Sequence, residues 1–297
     1  MVRTRKYHSF AIVAAFLLPS LLGFLLFFFL PIVSTLGLSL TRYSGGRTAS
    51  FVGLNNYLTA FRSRTFQNSL LVTFNFVVFS VLFQILLGFI FAVLLNKQLF
   101  ARDFFRSLFF LPTVLSTIAV AISFMLILNP SKGPANDLLV FFGLRPLPWL
   151  ASPRTALATI VSVTIWQSFG YYMVIFLSGL QSINPNLYET ADIDGATAFQ
   201  KLRYVTIPML TPTTFFCFTV AIIKAFQVFD QIFIMTGGQG GGGPAGSTSV
   251  IVFVVYSNAF YHFRMGYASA QSVILLIIVL LITVIQYRKQ RKWVGAL

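Results

Sequence analysis

Residues 69–95 read SLLVTFNFVVFSVLFQILLGFIFAVLL and contain no charged side chain. A helix crosses the hydrocarbon core of a bilayer with about 20 consecutive apolar residues, so this stretch is long enough to span a membrane. Similar runs recur along the 297-residue chain, which is 57% hydrophobic and only 9% charged. A soluble domain carries about 25% charged residues. The composition therefore predicts a polytopic membrane protein in contact with the lipid bilayer.

Six such runs predict an all-α fold with six transmembrane helices, which places both termini on one side of the membrane. The membrane region covers residues 10–287, and Pro19 and Pro31 in its first run predict a kink. The predicted spans are Phe10–Ser39, Ser69–Leu95, Ser107–Leu128, Thr155–Leu180, Met209–Met235 and Tyr267–Tyr287.

The distribution of Lys and Arg predicts the orientation, because cytoplasmic loops are richer in these residues. If the N-terminus is cytoplasmic, twelve of them lie inside, eight lie outside, and Lys224 lies within a span. Segment 1–9 and the basic tail 288–297 are then both cytoplasmic. This topology explains the net charge of +15 without a nucleic-acid partner.

The chain offers little to support catalysis. His8 and His262 are the only histidines, and Cys217 is the only cysteine. We therefore expect no catalytic residue, no metal site and no cofactor bound by this chain. The glycines around Gly240–Gly243 are not followed by the Lys-Ser/Thr pair of a phosphate-binding loop, and they predict a flexible outside loop.

The inside loop 184–208 has a different composition. Half of the six acidic residues fall within it, namely Glu189, Asp192 and Asp194. Asn184 can cap a helix that Gly195 ends. A second amphipathic helix can follow, with Phe199, Leu202 and Val205 at helical spacing before Pro208 leads into the next span. Two short helices that meet at a glycine predict a compact knob that fits a groove of a partner protein.

This loop resembles a known motif. Glu189-Thr190-Ala191-Asp192-Ile193-Asp194-Gly195, then nine residues, then Val205-Thr206-Ile207-Pro208 resemble the E-A-A-x-x-D-G and I-x-L-P pattern of permease subunits in binding-protein-dependent ABC importers. Thr190, Val205 and Ile207 depart from the pattern conservatively. Other runs resemble the carbohydrate-uptake branch of that family, so the resemblance covers nearly the whole chain. These include Phe51–Tyr57, Phe110–Thr113 and Gly266–Ala270.

The resemblance implies a multi-pass subunit of a prokaryotic inner membrane. It would form a pathway by alternating access with a second permease, for a sugar or a glycerol-phosphate-like solute. Two cytoplasmic ATPase subunits would bind ATP and Mg, and an extracytoplasmic solute-binding protein would deliver the solute. The implied ATPase-coupling residues are Tyr188, Glu189, Ala191, Asp194, Gly195, Ala196 and Pro208. Alternatively, Glu189 is favoured only by the dipole of its helix.

Polar residues inside the spans indicate a solute pathway, because burying them in lipid is costly. The candidates are Thr113, Thr117, Gln167, Tyr171, Lys224, Gln227, Asp230 and Gln231. Lys224, Gln227 and Gln231 are spaced to share one face of the fifth predicted helix. In the alternative interpretation, Lys224 pairs with Asp230 or with a backbone carbonyl, and the aromatic residues only pack between helices.

Two other classes stay open at this point. One is an ion-gradient-driven secondary transporter or channel subunit, which would need no ATPase-docking loop. The other is a membrane enzyme that acts on a lipid-linked substrate, which would usually show clustered carboxylates or histidines. The sequence does not identify the solute.

Overall fold

The computed structural model describes residues 13, 15–46, 48–97, 100–237 and 241–294, with side chains as far as residue 290. The predicted segment 1–9, the start of the first span at Phe10, Gly240 in the glycine-rich loop and the last three tail residues lie outside the described residues.

Helices dominate the described residues and strand is nearly absent, so the all-α prediction is confirmed. One short antiparallel pair joins β1 (Thr41–Arg42) to β2 (Ser50–Phe51), with Thr41 opposite Phe51. The helices are α1 (Ala15–Ser39), α2 (Asn55–Arg62), α3 (Arg64–Leu95), α4 (Arg102–Val114), α5 (Thr117–Ile127), α6 (Pro134–Phe141), α7 (Ala156–Gln181), α8 (Pro185–Ile193), α9 (Ala198–Met209), α10 (Thr211–Phe226), α11 (Asp230–Met235), α12 (Ile251–Tyr261) and α13 (Met265–Val294).

Four helices in the described part of the chain are long and apolar enough to cross a membrane, namely α1, α3, α7 and α13. Two further candidates are bent pairs, α4 with α5 and α9 with α10, so the number of spans reaches six if each pair counts as one. The structure therefore agrees with six spans, of which four are single helices and two are bent helix pairs.

The prediction of continuous helices is wrong for the third and fifth spans. The axis turns by 96° between α4 and α5. Pro112 lies in the last turn of α4, and Leu115 after it is extended, with a ψ of 145°. Ser116 is extended as well, with a ψ of 128°, so two successive residues interrupt the helix. In the fifth span, α10 ends at Phe226 and α11 begins only at Asp230.

Three of the described helices contain a π turn, and in two of them the π turn ends two residues before a proline. In α1 the π turn is Leu25–Phe29, ahead of Pro31, and in α9 it is Leu202–Thr206, ahead of Pro208. A proline ring crowds the carbonyl four residues earlier, and a wider turn relieves that contact. The first span is one continuous helix that contains this π turn, and the kink predicted there stays a prediction.

The outside loop after the fifth span contains more structure than predicted. Residues 251–261 form α12, with Ile251 and Phe253 buried. This helix was not predicted from the sequence, and it lies outside the glycine-rich segment. The apolar run from Val250 to Val255 is too short to span a bilayer, but it is long enough to bury one side of a short helix.

The chain divides into two compact units, residues 1–63 with 255–275 and residues 64–254 with 276–297. In the first unit, Asn56 Nδ2 donates to the carbonyls of Ser39 and Thr41, which fixes α2 against the end of α1. The second unit is built around α3 and α7. Gly170 of α7 lies so close to α4 that a Cβ there would overlap the Phe109 carbonyl oxygen. Small residues allow such close helix packing in membranes.

Candidate functional site

The loop 184–208 folds as the predicted two-helix knob. The Asn184 side chain accepts from the Asn186 N–H at 3.0 Å, and Pro185 occupies the first turn of α8. At the other end Gly195 has a φ of +73°. The N–H of Ala196 donates to the carbonyl of Ala191 at 2.9 Å, and that of Gly195 to Asp192 at 3.0 Å. These two bonds form a Schellman motif, which glycine favours because it adopts positive φ without strain.

The start of α9 is fixed by a capping box that the sequence reasoning missed. The Thr197 hydroxyl accepts from the Gln200 N–H at 3.3 Å, and the Thr197 N–H donates to Gln200 Oε1 at 2.7 Å. The signal was available, because Thr-x-x-Gln is a recognised helix-start pattern. Both ends of α8 and the start of α9 are therefore specified by local residues.

Two side-chain contacts join α8 to α9. The Tyr188 hydroxyl lies 3.0 Å from Thr206 Oγ1, and Lys201 Nζ lies 2.6 Å from Asp192 Oδ1. The ion pair is exposed and contributes at most about 1 kcal/mol. Tyr188, predicted to couple to an ATPase, thus uses its hydroxyl inside the knob. The two contacts hold the pair of helices as one body.

The outer surface of the knob combines unpaired acids with exposed apolar groups. Glu189 and Asp194 are exposed, and neither forms an ion pair within the described residues. Ile193 is 87% exposed, and Phe199 and Tyr204 are each 73% exposed. Exposed large apolar side chains next to unpaired acids mark protein interaction sites. The sequence reasoning anticipated Phe199 but not Ile193 or Tyr204.

A second feature is a polar cavity of about 240 Å³ among the spans. Five of the eight predicted pathway residues line it, which are Thr113, Thr117, Gln167, Lys224 and Gln231. Gln84, Thr164, Ser168 and Tyr172 also face it, together with apolar residues of α3 and α10. The helices therefore bring together polar side chains that are up to 147 positions apart in the sequence, from Gln84 to Gln231.

Gln167 is the centre of a hydrogen-bond network in this cavity. Its Oε1 accepts from Gln231 Nε2 at 2.7 Å, and its Nε2 donates to the Leu115 carbonyl at 3.3 Å. Gln231 Oε1 accepts from the Thr164 hydroxyl at 2.5 Å. Leu115 lies at the bend between α4 and α5, and Gln231 lies just after the break between α10 and α11. One side chain therefore bridges both helix breaks.

Lys224 lines the cavity with its ammonium over an aromatic ring. Its Nζ lies 4.4 Å from the centroid of the Tyr171 ring, which is a cation–π contact. Tyr171 itself is not part of the cavity wall. The alternative pairing of Lys224 with Asp230 is not formed in the described part of the chain.

Gln227 and Asp230 do not line the cavity. The argument that placed Lys224, Gln227 and Gln231 on one helical face is wrong, because α10 ends at Phe226 and the chain leaves the helical path before Asp230. Gln227 and Asp230 are both exposed. Their assignment to a pathway stays a prediction.

Gln84 is a cavity residue that the sequence reasoning missed. Its side chain is only 4% exposed, and it makes no hydrogen bond within the described residues. The signal was its position, because an amide in the middle of the charge-free run 69–95 is costly unless it faces protein or a polar cavity.

Comparisons with known proteins agree on one family. Residues 84–294 match the family described as binding-protein-dependent transport system inner membrane component. The probable ABC transporter permease protein YesP of Bacillus subtilis is 36% identical, over 94% of this chain and 90% of its own. The trehalose/maltose transport system permease protein MalF of Thermococcus litoralis is 34% identical, over 96% of both chains.

The fold also matches a solved structure. A chain from a bacterial ABC transporter involved in the import of the acidic polysaccharide alginate superposes with a TM-score of 0.85. The match covers 98% of this chain and 99% of that chain, at 24% identity. It confirms the arrangement of the helices.

Gly195→Val should loosen the knob, because a β-branched residue at positive φ costs about 1–2 kcal/mol. Gly195→Asn is the matched control, since Asn tolerates this conformation. We expect trypsin to cut the valine variant after Lys201 or Arg203 roughly five to thirty times faster than the unchanged chain, corresponding to that free energy. Equal acceleration by both variants would show that the φ of Gly195 is unimportant.

Gln167→Leu should destabilise the chain by about 1–3 kcal/mol, because it leaves Gln231 Nε2 and the Leu115 carbonyl without partners. Gln84→Leu is the control, since this equally buried amide loses no protein hydrogen bond. Thermal unfolding of both variants in the same detergent checks the difference. A control that melts as early as Gln167→Leu would contradict the bridging role.

Proposed function

The chain belongs to the family of binding-protein-dependent transport system inner membrane components, and from that premise we propose that it is one of two permeases in an ATP-driven importer. The two permeases together form the pathway for a sugar or a glycerol-phosphate-like solute. A solute-binding protein delivers the solute from outside, and two cytoplasmic ATPase subunits supply the energy by binding Mg-ATP. This chain contributes transport and no catalysis.

The observation that carries this proposal is the structure of the knob and of its exposed surface. It is a small body with fixed helix ends, two internal contacts and a surface on which Glu189 is free to pair. An acid and exposed aromatic side chains beside the membrane suit a groove that offers a basic residue and apolar pockets. A cytoplasmic ATPase subunit would provide such a groove, and Glu189 would make a charge-assisted bond to it.

The cavity supports the transport of a polyhydroxylated solute. Amide, hydroxyl and ammonium groups converge there, and the free amide of Gln84 can both donate to and accept from a solute hydroxyl. Its volume of about 240 Å³ is small for a complete ligand site, since pockets for drug-sized ligands hold roughly 300–1,000 Å³. A second permease would supply the missing wall.

The connection between knob and cavity indicates how the energy reaches the pathway. The last residue of α9, Met209, is separated from α10 by Leu210 alone, and α10 carries Lys224. Movement of the knob on closure of the ATPase subunits would therefore shift α10 directly. The spans would then rock between outward-open and inward-open states, each favoured by a different partner or ligand.

The orientation follows from the same arrangement. The groove between α10 and α13 is lined by Thr211 and Lys289, so the knob end of α10 and the C-terminal end of α13 lie on one side. We place this side, which carries the basic tail, in the cytoplasm together with the N-terminus. The membrane would be the prokaryotic inner membrane.

Glu189→Lys should reduce solute uptake and solute-stimulated ATP hydrolysis about tenfold or more, because the bond to the ATPase is replaced by repulsion. Asp103→Lys makes the same charge change on an exposed acid of α4 and should leave both rates near normal. Solute uptake and ATP hydrolysis are both measured for each variant, with the assembled importer in proteoliposomes that contain ATP. Normal coupled transport by Glu189→Lys, or uptake without ATP, would overturn the proposal in favour of a gradient-driven transporter.

Lys224→Leu should lower the rate of uptake about tenfold, since a hydrogen bond to a charged group contributes about 1.5–3 kcal/mol. Gln227→Leu is the matched control from the same span, because Gln227 lies outside the cavity wall. Initial uptake rates in proteoliposomes separate the two. If Gln227→Leu were the more damaging change, the pathway would run along a different face of the fifth span.

A further inference from the structure

A second cavity, also of about 240 Å³, lies between α10 and α13 at the knob end of the spans. We call it the α10–α13 groove. Phe215 and Phe218 line it from α10, and Gln286, Lys289 and Gln290 line it from α13. Neither the knob nor the polar cavity described above includes these residues, and the proposed transport cycle does not use them.

The groove combines an apolar wall with a free cation. Phe215 and Phe218 lie one helical turn apart, so their rings border the groove along the direction of α10. Lys289 is exposed and forms no ion pair in the part of the chain that the structure describes. An apolar channel that ends at an unpaired ammonium is complementary to an amphiphile with an anionic head.

Gln286 adds a second polar group to the same end. Its Oε1 is buried and accepts no hydrogen bond within the described residues. Gln286 precedes Lys289 by three positions, so the two side chains lie on the same side of α13. Because Gln286 Oε1 is shielded by protein atoms, the recognition of an anionic head group depends on Lys289.

The position of the groove identifies the source of such a molecule. Both walls belong to candidate spans, and the groove ends where α13 enters the basic tail. The tail adds Arg288, Arg291 and Lys292 to Lys289 in the sequence. Basic residues just cytoplasmic of a membrane helix attract the anionic lipids of the adjacent leaflet.

We propose that the α10–α13 groove binds one anionic phospholipid of the cytoplasmic leaflet. Its phosphate pairs with Lys289, and one acyl chain lies along Phe215 and Phe218. The assignment to this leaflet depends on the proposed orientation, whereas the binding itself does not depend on the transported solute. The bound lipid would sit beside Thr211, directly after the knob.

Native mass spectrometry of the full-length chain with its co-purifying subunits tests this proposal. The sample is titrated with phosphatidylglycerol, or with phosphatidylcholine of the same acyl chains. We expect phosphatidylglycerol to be retained preferentially. Lys289→Gln should weaken its binding about fivefold, which is the usual contribution of one basic residue near an anionic surface.

Arg288→Gln is the matched control. It removes the same charge from the neighbouring position, but Arg288 does not line the groove. We expect its affinity for phosphatidylglycerol to stay within about twofold of the unchanged chain. Equal weakening by the two variants would mean that the tail attracts lipid without a groove, and it would overturn the proposal.

Three further results would overturn it. Equal retention of phosphatidylcholine would show that the head group is not recognised. Displacement by soluble glycerol 3-phosphate at comparable concentration would identify a site for a free anion rather than a lipid. Binding of no lipid at all would leave the groove without the proposed occupant. None of these results would affect the proposed transport function, because Lys289 and Arg288 lie outside the knob and the polar cavity.

Discussion

The Gln167 side chain satisfies the constraint on which the membrane region depends, namely that backbone groups within a bilayer must find partners inside the protein. Its amide donates to the Leu115 carbonyl at the bend between α4 and α5, and it accepts from Gln231 beyond the break in the fifth span. Two interrupted helices can therefore meet in one place. Without this bridge, the Leu115 carbonyl and the Gln231 amide would lose their partners, at a cost of a few kcal/mol.

The breaks also explain why the polar cavity lies where it does. Helices that stop within the membrane leave room that side chains do not fill, and irregular backbone is tolerated there only if it is buried in protein or faces water. Thr113, Thr164 and Gln231 surround this room with groups that hydrogen-bond to each other or to nearby backbone. The cavity and the broken spans are thus two results of one packing arrangement, in which α7 is the common neighbour.

The sequence predicts those parts of this structure that depend on local composition. Apolar run length predicted the spans, and Asn184 and Gly195 predicted the ends of α8, because these features act within a few residues. The breaks were missed because hydropathy measures how apolar a run is and not the direction in which it travels. Pro112 was the one local signal. The pairing of Gln167 with Gln231, across 64 positions, depends on tertiary packing that no local pattern contains.

The knob is held together by its own side-chain contacts, whereas the chain bends where the knob joins α10. The contacts of Tyr188 with Thr206 and of Asp192 with Lys201 hold α8 against α9. Between α9 and α10, by contrast, the chain bends by 64° at Leu210. Large changes in φ and ψ are absorbed at a few residues between rigid elements. A force on the knob should therefore turn α10 about Leu210, and it would move Lys224 relative to Tyr171 and Gln167, which α7 holds in place.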